Sequence, residues 1–272
     1  MFADDTISYL TVRKDGDCGV LQSDLDKLAR WEERWLMEFH PKKCNVISFT
    51  RGRNPIKYQY HLHGHILEHV ASAKYLGVNF SSGLSWNHHV DEITSKANKC
   101  LGFLRRNLNI SNCKTKETAY KSLVRPIVEY ASPVWDPYTA NNIDKIEMVQ
   151  RRAARFVKNR YRQTSSVTSM LNDLQWRSLR NRRVDSKLTM FYKIVNDHVA
   201  VDQDLYLKPQ VSTRATRGSH NRSFQVPHSR QNCHLYSYFP STVRLWNGLP
   251  QDVVSAPSVA AFQSRISNMI HF

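Results

Sequence analysis

From residue 90 onward the apolar residues of this chain recur every three or four positions. Val90, Ile93, Ala97, Leu101, Leu104 and Leu108 form one stripe at helical spacing. Such a segment buries one face and solvates the other, so it must be a helix packed on a neighbour. The pattern continues. "KETAYKSLVRPIVEYA" predicts a second helix, kinked or ended at Pro126, whose ring removes a backbone donor. "NNIDKIEMVQRRAARFVKNRYR" predicts a third, the chain turns around "QTSSVTS", and "VDSKLTMFYKIV" belongs to a fourth. From about residue 202 the sequence is irregular, polar and basic, and "SVAAFQSRISNMI" closes it as an amphipathic helix.

The first eighty residues have another character. "FADDTISYLTV" reads as strand, tight acidic turn, strand. Leu21, Leu25, Leu28, Trp35 and Phe39 follow at helical spacing through "LQSDLDKLARWEERWLMEF", and His40-Pro41 ends that helix. "CNVISFT" and "AKYLGVNF" each predict a strand, and "KYQYHLHGHILEHV" a hairpin turning near Gly64. The fold class is therefore α+β: a small mixed α/β portion, a mainly helical region, then an irregular C-terminal unit. With 272 residues the chain can bury a proper core. No apolar run approaches the roughly 18 residues of a membrane span, and no secretory signal is visible. The five cysteines are scattered, without a C-x-x-C pair, as suits a reduced intracellular chain.

Charge is concentrated. The chain carries +16, and residues 150–193 hold 12 Lys and Arg against 2 Asp and Glu. A solubilising surface gives no reason for such a block; a polyanion does, and nucleic acid is the default. On the third helix Ile146, Val149, Ala153 and Phe156 share one face, with Arg151, Arg155, Lys158 and Arg162 nearly opposite. Arg177, Arg180, Arg182, Arg183 and Lys187 follow. A row of cations can track a phosphate backbone without reading sequence; the plain alternative is a solvated helix face.

Asp4 and Asp5 repel one another, so they either cap a turn in water or wait for a metal ion. Adjacent aspartates on a hairpin suit two-metal nucleotidyl transfer, because Mg²⁺ takes carboxylate oxygens and bridges substrate phosphates. His61, His63, His65 and His69 could share a strand face and bind a transition metal, or simply surround the turn at Gly64. No G-x-S-x-G elbow and no phosphate-binding loop is found. Cys44 reads as packing rather than as a nucleophile. Tyr130, Trp135 and Tyr138 read as a packed cluster, and Trp246 as a core anchor.

"FADDT" resembles the catalytic hairpin of the reverse transcriptases of non-LTR, LINE-type retrotransposons, especially the jockey-like group. The helix with Trp31 and Trp35, followed by "MEFHPKKC", resembles the next palm motif, with His40 in place of the customary asparagine and Lys43 at the lysine position. "KYLGV" with "LSWNHHV" resembles the entry after the palm. "YKSLVRPIVEYASPVWDP", "IEMVQRRAARFV" and "FPSTVRLWNGLP" resemble the downstream helical region. The resemblance implies three parts: residues 1–80 as the C-terminal part of the palm, 81–165 as a helical thumb-like region, and 166–272 as a basic helical and irregular domain.

It also implies roles. Asp4 and Asp5 would hold Mg²⁺ in the intact enzyme, and Lys43 would lie near the triphosphate as a general acid. Arg151, Arg155, Lys158, Arg162, Arg180, Arg183 and Lys187 would face an RNA template and DNA primer, or an RNA–DNA duplex. The implied location is intracellular, in a cytoplasmic ribonucleoprotein and the nucleus. A further aspartate precedes the hairpin in this family, whereas three residues precede Asp4 here. The expectation is a C-terminal fragment, inactive alone unless the remaining polymerase portion partners it in trans. Two readings stay open: a fragment of an RNA-directed DNA polymerase, or a non-catalytic basic module that binds RNA or RNA–DNA duplex. A helical interaction domain with incidental charge is the third.

Overall fold

A computed structural model describes residues 5–37, 39–50, 52, 55–210 and 220–269. It is mainly helical with a few short two-stranded sheets, an α+β fold as expected. The chain forms two compact units, residues 1–89 and 90–272.

Unit 1 is built on helix α1 (Asp15–Trp35) and six short strands: β1 (Asn45–Val46), β2 (His61–Leu62), β3 (His65–Ile66), β4 (Glu68–His69), β5 (Ser72–Tyr75) and β6 (Val78–Ser81). β1 pairs with β4 in parallel; β2–β3 and β5–β6 are antiparallel hairpins. The first hairpin turns at His63-Gly64, as expected. Both central residues have positive φ (50° and 74°), the backbone a two-residue turn requires. The single strand expected over "AKYLGVNF" is instead a second hairpin. Leu76 (φ 44°) and Gly77 (φ 79°) make its turn, and the apolar leucine conceals the turn signal.

Two further expectations are corrected. Residues 6–12 carry no strand pairing among the described residues, because a β-former needs a neighbouring strand to satisfy its N–H and C=O groups; Ile7 and Tyr9 are exposed. Phe2 and Asp4 lie outside the described residues. Helix α1 ends at Trp35, not at His40-Pro41. Leu36 adopts a left-handed cap, and its N–H and that of Met37 both close on the Glu32 carbonyl. The buried Glu32 carboxylate accepts the Phe39 N–H and lies 2.5 Å from His63 Nε2, which fixes the exit of the chain.

The unit 1 core gathers Cys18, Tyr60, Leu62 and Leu67, with Leu21, Leu25, Phe39 and Cys44 against them. Burial pushes the Tyr60 phenol up to about 12. Gln22 locks α1 to β2: its side chain accepts from the His61 N–H at 2.9 Å and donates to the His61 carbonyl at 3.0 Å.

Helix α2 (Asn87–Asn107) leads into unit 2. Of its expected stripe Val90, Ile93, Ala97, Leu101 and Leu104 are buried, while Leu108 lies just past the helix end and is half-buried. α3 (Cys113–Ala119) runs through a π turn at Tyr120–Val124 into α4 (Arg125–Glu129). Pro126 does not end the helix. It lacks the N–H that would bond Ser122, and the chain widens one turn upstream, where the Arg125 N–H reaches the Tyr120 carbonyl.

There follow α5 (Ser132–Trp135), α6 (Ala140–Lys158), α7 (Val167–Asp173) and α8 (Leu179–Val195), then α9 (Asn232–Leu235), α10 (Tyr238–Asn247), α11 (Gln251–Val254) and α12 (Val259–Ser267). Ser166, Ser178 and Ser258 cap α7, α8 and α12 with their hydroxyl oxygens. α8 is central, packing on α5, α6, α10 and α12. Its Leu188, Phe191, Tyr192 and Ile194 meet Trp246, Val254, Phe262 and Ile266 in the main core. Trp246 is thus the core anchor expected.

Candidate nucleic-acid interface

Residue spacing on α6 determines what the basic block can present. Ile146, Val149, Ala153 and Phe156 are all buried, so the opposite side must face outward. Arg151 lies there, exposed, with Arg155 and Lys158 half-buried on the same flank. The helix stops at Lys158, where Asn159 turns into a left-handed cap (φ 52°), so Arg162 is not on the helix. It nevertheless stays beside the row: Arg155 Nη1 donates to the Arg162 carbonyl at 3.2 Å. Lys158 is also tied down, 3.2 Å from Asp173 of α7.

A second basic contribution comes from α2. Three contacts link α2 with α6 and the loop after it. Lys145 Nζ lies 2.5 Å from Asp91, Arg152 Nη1 donates to Asn98 Oδ1 at 3.0 Å, and the Arg105 guanidinium sits 4.9 Å over the Tyr161 ring. Asp91, Asn98 and Arg105 are seven residues apart, as are Lys145 and Arg152, so the helices run in the same direction with rungs about 10.5 Å apart. The heptad spacing was present in the sequence and could have revealed this seam.

The cations of α8 have a different fate. Arg183 is 0% exposed and Lys187 4%. Both converge on Asp136, Arg183 Nε at 2.8 Å and Lys187 Nζ at 3.1 Å. Arg182 forks onto Glu129, and Arg177 onto Asp185. Glu129 holds the Arg182 guanidinium charged beyond its ordinary range. Arg182, Arg183 and Lys187 of α8 are thus aimed at carboxylates on neighbouring elements, whereas Arg177, ahead of the helix, pairs with Asp185 of α8 itself. Arg180 alone of the α8 residues assigned to nucleic acid is exposed; its backbone N–H donates to Glu147 Oε1 at 2.7 Å.

The residues implied as catalytic belong to unit 1. Asp4 lies outside the described residues, and Asp5 is exposed. Lys43 is exposed at the end of a single 3₁₀ turn, Pro41–Lys43. Cys44, next to it, is half-buried, and burial followed by the Glu32 charge pushes its thiol up, away from nucleophilic use. Mg²⁺ needs several oxygen ligands in near-octahedral array. Among the described residues no group of three or more His, Cys, Asp or Glu side chains is placed to hold a metal ion. The described residues do not by themselves make an Mg²⁺ site. His61, His63 and His65 surround the turn of the first hairpin, with His63 at Glu32, while His69 lies on β4 with its Nε2 2.9 Å from the Tyr58 carbonyl.

Of the three aromatics expected to cluster, Trp135 is buried, and Tyr130 and Tyr138 are exposed. Tyr138 stacks on Tyr236 with centroids 4.4 Å apart. Among the described residues no helix is long and apolar enough to cross a membrane.

The chain is similar to RNA-directed DNA polymerases of mobile elements. It is 30% identical over 141 residues to the probable RNA-directed DNA polymerase from transposon BS of Drosophila melanogaster, covering 50% of this chain and 16% of that protein. It is 27% identical over 161 residues to the RNA-directed DNA polymerase from mobile element jockey of the same organism, covering 57% of this chain and 17% of that protein. Against the probable polymerase from transposon X-element it is 27% identical over 168 residues, covering 57% and 18%. The matched part spans under a fifth of the length of these curated relatives. No protein-family model and no solved structure matches the chain. These likenesses amount to a distant, partial homology to the polymerases of non-LTR retrotransposons over about half the chain.

Proposed function

We propose that this chain is a portion of an RNA-directed DNA polymerase of a non-LTR retrotransposon, and that unit 2 grips a template–primer duplex by its phosphates. The observation that carries the reading is the likeness to the polymerases of jockey, transposon BS and the X-element. The gripping role is supported by the exposed Arg151, Arg162 and Arg180, with Arg155 and Lys158 beside them. Such contacts position nucleic acid without reading its sequence. In the intact enzyme Asp4 and Asp5 would hold Mg²⁺, which supplies the charge stabilisation for nucleotidyl transfer, and Lys43 would donate a proton to the departing pyrophosphate. The working location would be a cytoplasmic ribonucleoprotein and the nucleus.

Taken alone, the chain binds and does not extend. The test is homopolymer primer extension with Mg²⁺ beside salt-dependent binding to the same template–primer, using wild type and an Asp4→Asn/Asp5→Asn double variant. Equal, salt-sensitive binding without extension is the expected result. Extension that disappears in the double variant would show a complete active site and overturn the non-catalytic reading. Salt-insensitive or absent binding would overturn the gripping role.

A further inference from the structure

Tyr161 is exposed, yet its backbone is pinned. The Arg160 N–H closes on the Arg155 carbonyl at 3.1 Å, Arg155 Nη1 holds the Arg162 carbonyl at 3.2 Å, and the Ser165 N–H returns to that carbonyl at 3.0 Å. The residue is 47% exposed. Arg105 of α2 lies 4.9 Å over the ring, and exposed Arg160 and Arg162 flank it in sequence. Two other tyrosines of unit 2 pack on aromatic rings instead: Tyr120 is buried and stacked on Trp176, and Tyr138 stacks on Tyr236.

An exposed tyrosine with a guanidinium against one face and an exposed arginine before and after it in the chain has the makings of a base-stacking platform. Every base has a π-face, so stacking needs no particular sequence, and the neighbouring arginines meet the phosphates. Bases inside a duplex are already stacked on one another and offer no free face except at an end. We infer that Tyr161 and Arg105 form a stacking site for an unpaired nucleotide, so that this surface takes single-stranded nucleic acid, or a single strand emerging from a duplex. The inference rests on the nucleic-acid reading of unit 2 given above, and it names the strand state of the ligand.

The experiment is fluorescence anisotropy on the full chain, with a labelled oligo(dT), an oligo(U) and a blunt duplex of equal length. Proteins are wild type, Tyr161→Ala, Tyr161→Phe and Arg162→Ala, each checked for unchanged circular dichroism. Tyr161→Ala should weaken single-strand binding about tenfold, the effect of removing one stacked base, and leave duplex binding within about twofold. Tyr161→Phe should keep wild-type affinity, because the ring remains. The salt slope should be unchanged in Tyr161→Ala and shallower by about one unit in Arg162→Ala. Equal losses on single strand and duplex, or no loss on either, would overturn the stacking site while leaving the gripping surface intact. Absence of salt-dependent binding to all three probes would overturn both.

Discussion

Asp136 accepts a hydrogen bond from the fully buried Arg183 at 2.8 Å, and its other oxygen takes Lys187 at 3.1 Å. One carboxylate therefore serves two buried cations in the heart of unit 2. Breaking a buried pair costs more than the pair contributes, because a charge is left without a partner. Asp136→Asn should destabilise the protein by about 3–5 kcal/mol in urea denaturation. The triple change Asp136→Asn/Arg183→Met/Lys187→Met, which removes the stranded charges, should recover most of that loss. A triple variant as unstable as the single one would show that packing, not charge, sets the cost.

The "LWNG" stretch holds the C-terminal part of unit 2 in place. Trp246 is buried, and its indole N–H donates to the Arg222 carbonyl at 2.8 Å. Next to it, the Asn247 amide clamps Phe224 from both sides, accepting its N–H at 3.0 Å and donating to its carbonyl at 2.7 Å. Asn247→Ala should cost about 1–3 kcal/mol, since two backbone groups lose their partner. Hydrogen exchange should show the Phe224 amide losing protection. An unchanged exchange rate there would contradict the clamp.

Glu117 links α3 to the start of the α7–α8 connection. It accepts from the Trp176 indole at 2.9 Å and lies 2.5 Å from Lys121. Burial raises its carboxyl, but the bonds from Lys121 and Trp176 outweigh burial and hold it below the usual range. A lowered folded value means stabilisation that is complete above the unfolded carboxylate value, about 4.3. It is lost as pH falls through the folded value. Wild type should therefore exceed Glu117→Gln in denaturation midpoint at pH 6, and the gap should close as pH drops below about 4. A gap constant from pH 6 to pH 3 would contradict this ionic origin.

Helical periodicity carried most of unit 2. The stripe from Val90 to Leu104 and the α6 face from Ile146 to Phe156 are buried as their spacing requires. Exposure was less legible for long cations, because one period describes both a solvated face and a face of ion pairs. Arg183 and Lys187 share a spacing with exposed residues, and only the position of Asp136, forty-seven and fifty-one residues away, decides their burial. Turns read well where glycine follows a polar residue, as at His63-Gly64, and badly at Leu76-Gly77. The Arg105–Tyr161 contact joins segments fifty-six residues apart, and Tyr161 comes nine rather than seven residues after Arg152, so the heptad spacing of the seam does not extend to it.

The reading proposed for unit 2 is a grip on nucleic acid, by its phosphates, through the exposed arginines of α6 and the loop after it. Its most direct test is the affinity of the full chain for an RNA–DNA hybrid, measured between 50 and 200 mM salt as about six points and plotted as log K against log salt. Wild type should give a steep line, and Arg151→Ala and Arg162→Ala should each flatten it by about one unit. Arg183→Met, a change at a buried residue, should leave the slope alone. A flat wild-type line, or a slope that responds to Arg183 and not to Arg151 or Arg162, would rule out a phosphate grip by these arginines.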